Sequence, residues 1–93
     1  MRADLFLKKC SIVKRRSQAK AICQRGKVLI DGNSIKAANQ ITPGQLMTIC
    51  LPNRFLEIEI LDIPKSNVSR KAAGDFYRVI RDEKRNEGVD MEG

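Results

Sequence analysis

At Gly26 the apolar period of this chain changes from that of a helix to that of a strand, and this constrains its first half more than any other feature. Before it, Ala19, Ile22 and Cys23 stand at i, i+3 and i+4, the buried stripe of a helix over about 15–25. Beyond it, residues 27–31 alternate, with Val28 and Ile30 pointing one way. Asp31-Gly32-Asn33 is a tight-turn signal leading to a return strand over about 34–37. Gly26 is itself suited to the left-handed conformation that ends a helix. A first short helix over 2–9, apolar on one side and basic on the other, precedes this unit. Residues 10–14 join the two helices, with Ile12 and Val13 as apolar anchors.

The second half continues as strands. Pro43-Gly44 marks a turn, 46–51 reads as a strand, and Pro52-Asn53 turns the chain again. Over 55–61, Leu56, Ile58 and Ile60 alternate with Glu57 and Glu59, and Pro64 closes the strand. After a polar link, Ala73, Phe76, Tyr77 and Ile80 follow helical spacing, so a last helix over 70–85 is expected, with Ser69 as its N-cap. The acidic residues 86–93 have nothing to bury and are expected to be disordered. The expected fold is α+β: two N-terminal helices on a small, mostly antiparallel sheet, plus a C-terminal helix. Residues 1–64 would form one domain with its sheet, and 65–85 would pack on it.

Composition removes several classes of function. The chain has no histidine, and its three cysteines (Cys10, Cys23 and Cys50) are widely spaced. That argues against zinc and makes the thiols small core hydrophobes. No base stands ready at neutral pH to activate Ser11, Ser17 or a thiol, and Glu57 and Glu59 project from a solvated strand face. There is no phosphate-cradling glycine loop. No cofactor, metal or catalytic residue is expected. With no long apolar run, neither a membrane span nor a signal peptide is read, and a cytoplasmic protein is expected.

Charge gives a positive indication. Of the 93 residues, those up to Arg54 include eleven basic side chains and only two acids, Asp4 and Asp31, a balance of +9. The remainder carries −2, leaving +7 overall. Arg16, Lys20 and Gln24 share a helix stripe distinct from the apolar one. A cationic surface with few acids to pair it is the footprint of a polyanion partner. Short helices dense in Lys and Arg suit phosphate and shape recognition, which favours RNA over DNA. Aromatic residues are scarce, and Phe6, Phe55, Phe76 and Tyr77 all have core roles open to them, so a stacking platform is not expected.

These residues also carry a resemblance. Arg2, Asp4, Phe6 and Leu7, then Arg16, Ala19 and Ile22, then Gly26, Val28, Asp31 and Gly32, and finally Pro43, Gly44 and Gln45 follow the pattern of the RNA-binding domain named after ribosomal protein S4. The match spans residues 2–51. Ala3, Arg15 and Gln45 depart from it, standing where Leu, a Ser or Thr cap, and Asp are usual; Ser17 is expected to cap a shorter helix. A strand such as FLEIEIL and an ending such as RKAAGDFYRVIRDEK resemble a bacterial subgroup of short S4 proteins, comprising heat-shock and ribosome quality-control types. The chain is closer to the shorter quality-control type.

A non-catalytic monomer is expected, and the resemblance implies that it binds rRNA of the large ribosomal subunit and peptidyl-tRNA, acting beside a tRNA-recruiting quality-control factor. Other roles left open are recycling of large subunits carrying a nascent chain, an RNA-binding appendage of a modifying enzyme such as a pseudouridine synthase, and a structural ribosomal protein. The candidate RNA-binding residues are Arg2, Asp4, Lys8, Lys9, Lys14, Arg15, Arg16, Gln18, Lys20, Lys27 and Lys36. Asp4 has two readings of equal weight: an acid favoured by the helix N-terminus, or a carboxylate that orients a nearby arginine. Arg16 lies on the exposed stripe, where reversing a charge is expected to cost under about 0.5 kcal/mol.

Overall fold

The structure, a computed structural model, describes residues 1–65, 68–69 and 71–84. Helices α1 (Ala3–Lys9) and α2 (Arg16–Gln24) pack on one face of a five-stranded sheet. Its strands are β1 (Val28–Ile30), β2 (Asn33–Ser34), β3 (Leu46–Leu51), β4 (Arg54–Ile60) and β5 (Tyr77–Lys84). Their order is β2-β1-β3-β4-β5, antiparallel throughout. This is the α+β arrangement expected, without the C-terminal helix.

The core lies between helices and sheet. Phe6 and Leu7 of α1 meet Val28, Met47, Ile49, Ile58 and Ile60, all with essentially no exposure. Cys10 and Cys23 are buried in the same core, and Cys50 is half-buried. Burial pushes the Cys10 and Cys23 thiols up to about 11 from an ordinary 9.0. A raised thiol pKa stabilises the fold while both states hold the proton, and that contribution fades as pH rises from 9 through 11. Unfolding free energy measured by urea titration should therefore fall across this window, and less so in Cys10→Ala.

Both helices end in the same motif. At α2, the Gly26 N–H donates to the Cys23 carbonyl and the Lys27 N–H to that of Ile22, with Gly26 at φ +73°. At α1, the Ser11 N–H donates to Lys8 and the Ile12 N–H to Leu7, and Ser11 takes the glycine position at φ +59°. A side chain there is strained. Ser11→Gly is expected to raise stability by about 0.5–1 kcal/mol in thermal or urea unfolding.

Neither helix has a side-chain N-cap. Helix α2 starts at Arg16 behind Arg15 in extended conformation, so Ser17 does not cap it. The first amides of α1 are met by the chain instead: Ala3 N–H donates to the Asn39 carbonyl and Asp4 N–H to that of Ala37. The segment 36–41 is thereby held against the start of α1, and Ala3 is fully buried.

The turns obey their sequence. Asp31 and Gly32 both have positive φ between the paired residues Ile30 and Asn33, a primed hairpin turn. Asp31 also accepts from the Leu46 N–H through its carboxylate, tying the turn to β3. Gln45, the departure after Pro43-Gly44, accepts from the Thr42 N–H through Oε1 and so serves the turn itself.

The expected helix over 70–85 is the principal correction. Ala73–Asp75 form one 3-10 turn, and Tyr77–Lys84 form β5, paired along the outer edge of β4. Ala73 is buried, and Phe76 and Tyr77 pack on the core as the apolar spacing requires, but Ile80 is exposed. Three forces favour the strand. Gly74 would cost a helix about 1 kcal/mol relative to alanine. Val79 and Ile80 are β-branched. The inner face of β4 is buried, and its outer backbone groups need partners that β5 supplies. Cross-strand ion pairs then fit, Arg78 to Glu59 and Arg54 to Asp82, the latter holding the Asp82 carboxyl below its usual range. Phe55 also departs from expectation: it lies on the open face of the sheet, 5.7 Å from the Arg81 guanidinium. The acidic segment 86–93 lies outside the described residues.

Candidate nucleic-acid interface

The site is built around Asp4. It stands in the first turn of α1 with no solvent exposure, the one charged side chain so buried among the described residues. Arg2 approaches from the residue before the helix, its Nε donating to Oδ1 at 3.2 Å and its Nη2 to Oδ2 at 3.4 Å. Arg16 comes from the start of α2, its Nε donating to Oδ2 at 3.3 Å. The carboxylate is thus shared by two guanidinium groups from two elements. Both arginines remain substantially open, at 39% and 46% side-chain exposure. Their remaining N–H donors are available to an outside acceptor, in a direction fixed by Asp4.

Both readings of Asp4 fit the geometry: it is an acid in the first turn of α1 and a carboxylate shared by two arginines. The expectation for Arg16 changes with it. A glutamate at position 16 would set a second carboxylate against a buried one, so charge reversal there disturbs the fold as well as the surface.

The cationic face extends from this latch. Arg2, Lys20, Gln24 and Lys36 line one depression with Cys23, Ala37 and Ala38. Lys36 reaches it because segment 36–41 is held to α1 by the backbone bonds already described. Four candidates, Arg2, Arg16, Lys20 and Lys36, are therefore gathered with Asp4 by direct bond or shared depression. Lys8 and Lys14 line a second depression with Ser11 and Arg54, while Lys8 and Lys9 flank a third with Leu5. Lys27 stands apart with Arg25 beyond the end of α2. Arg15 and Gln18 are exposed near the start of α2 without a structural bond to the others.

Gln24 and Arg25 were not among the candidates, although the stripe through Arg16 and Lys20 runs on to Gln24. Arg54 belongs to the basic half by sequence, but it is engaged by Asp82 through two bonds at 2.9 and 2.8 Å. Glu57 and Glu59 lie on the open sheet face, Glu59 paired with Arg78. Among the described residues no three His, Cys, Asp or Glu side chains gather to hold a metal, and no helix is long and apolar enough to cross a membrane.

A family model described as S4 domain matches residues 1–46, the segment from α1 to the start of β3 that contains this face. An RQC P-site tRNA stabilizing factor of Bacillus subtilis is 30% identical over 87 residues, covering 94% of this chain and 100% of the relative. One of the same name from Halalkalibacterium halodurans is 32% identical over 83 residues, covering 89% and 93%. Among solved structures, trimeric Heat Shock Protein 15 of Vibrio cholerae superimposes with a TM-score of 0.79 at 25% identity, over 85% of this chain and 80% of that one. Identity over nearly the full length of both chains, on a shared S4 fold, places this chain in the family of RQC P-site tRNA stabilizing factors.

Proposed function

We propose that this chain is a non-catalytic RNA-binding protein of ribosome-associated quality control, which binds rRNA of the large subunit and holds peptidyl-tRNA in its P site. The observation that carries this reading is the Asp4 latch: a buried carboxylate fixing Arg2 and Arg16 beside Lys20 and Lys36, with no acid lining their depression. The two arginines meet phosphates without first having to be ordered, so less entropy is lost on binding. Family membership gives the RNA its identity, since the relatives are named for stabilizing P-site tRNA.

The protein acts by differential binding. Contacts made only to the P-site arrangement of tRNA and rRNA shift the tRNA population toward that arrangement without any chemical step. That suits a partner factor that recruits further tRNAs. Lys8, Lys9, Lys14, Arg15, Gln18 and Lys27 serve as outlying contacts, and residues 1–64 as the RNA-binding unit, closed at its edge by β5. We read the protein as cytoplasmic because the ribosomes it would bind are there, and as a monomer because Arg78, Arg81, Asp82, Glu83 and Lys84 place charge along the β5 edge and oppose strand pairing between copies.

Binding to a tRNA or rRNA hairpin, followed by fluorescence anisotropy from 50 to 300 mM salt, checks the electrostatic basis. Released counterions should give a log–log slope of about −3.5 to −4.5, corresponding to four or five phosphate contacts. A flat dependence would contradict it.

A further inference from the structure

At the end of α2 lies a recess that shares no lining residue with the depression beside the arginine latch. Its walls are Ile22, Leu51 and Pro52, with Cys50 beside them, and its rim is Arg25 and Lys27. The two sides are fixed to each other, since the Cys50 N–H donates to the Lys27 carbonyl at 2.8 Å. No acidic side chain lines the recess, and among the described residues neither Arg25 nor Lys27 enters an ion pair. An aliphatic cleft edged by two uncompensated cations calls for a ligand that is flat and apolar on its faces and anionic at one end.

We propose that this recess seats one unpaired nucleotide of the bound RNA, its base between the aliphatic wall and the Arg25 guanidinium and its phosphate at Lys27. The inference rests on the RNA-binding reading and adds a preference to it. A helical RNA keeps its bases stacked and presents only phosphates, which the Arg2–Arg16 face can meet. A nucleotide released from its stack offers a face for which this recess is the complement. No aromatic side chain lines the cleft, so it holds a single base and does not support a run of them. The preferred RNA would combine a helical segment on the arginine face with a bulged or loop nucleotide at the end of α2.

The experiment follows the anisotropy of labelled RNA as the intact chain is added. It compares a fully paired RNA duplex with the same duplex carrying one bulged nucleotide, first as adenosine and then as 2-aminopurine, whose fluorescence reports the surroundings of the base. The bulge should tighten binding by about fivefold or more, as one seated base allows, and the 2-aminopurine signal should change on binding. Arg25→Gln, an exposed substitution at the helix end, should abolish the preference and the signal change while leaving duplex affinity within about twofold. Equal affinity for the two RNAs, or a preference that survives in Arg25→Gln, overturns the recess and leaves the arginine face standing. Failure of both RNAs to bind overturns the RNA-binding reading and this inference together.

Discussion

Asp4→Ala is expected to lower the unfolding free energy by about 2–4 kcal/mol and to weaken RNA binding at least about tenfold. The carboxylate is fully buried and accepts three bonds from Arg2 and Arg16. Removing it leaves two guanidinium groups close together with no anion between them. Both are partly exposed and can turn to water, which keeps the loss below that of a fully buried ion pair. Turning to water is also what removes their fixed direction. Stability and affinity should therefore fall together in Asp4→Ala. Asp4→Asn, which keeps the volume but turns an acceptor into a donor facing arginine, should show the same coupling in smaller measure. Denaturant unfolding and anisotropy on one preparation check both. Loss of stability with undiminished affinity would mean that the latch serves the fold alone.

The second large effect separates binding from folding. Lys20 and Lys36 share the depression beside Arg2, are exposed, and enter no ion pair among the described residues. The double variant Lys20→Gln, Lys36→Gln should reduce the magnitude of the salt slope by about 2, one unit per lost phosphate contact. Stability should move by less than about 0.5 kcal/mol. The charge-reversed pair, Lys20→Glu with Lys36→Glu, should reduce affinity by about a hundredfold or more at low salt, since repulsion replaces each attraction. An unchanged slope would place the phosphates elsewhere on the molecule.

The sequence reading reached different depths in the two halves. From α1 to β3 the helices, the Gly26 cap, the Asp31-Gly32 turn and the sheet-facing stripe were legible because each is a local pattern. The Arg2–Asp4–Arg16 cluster was only half legible. Side-chain spacing put Asp4 in the first turn, but its sharing by arginines on either side depends on how α1 packs on α2. Strand β5 was misread because Ala73, Phe76, Tyr77 and Ile80 fit a helical stripe, and three of them do reach the core, by a 3-10 turn and a strand. The contrary signal was long-range: Glu57 and Glu59 on β4 are matched by Arg81 and Arg78 across one bulge. Local periodicity cannot see a partner more than fifteen residues away. Phe55, by contrast, was legible: it shares the parity of Glu57 and Glu59, so the alternation of β4 already put it on the open face, against the core role expected for an aromatic residue.

The measurement that tests the central claim most directly is recovery of the tagged protein from stressed cells, with quantification of the ribosomal subunits and tRNA that accompany it. The latch geometry and family membership together predict large subunits in excess over small ones, carrying peptidyl-tRNA, with recovery lost in the charge-reversed Lys20, Lys36 variant. Equal recovery of both subunits at one copy per ribosome, or large subunits free of peptidyl-tRNA, would contradict the account.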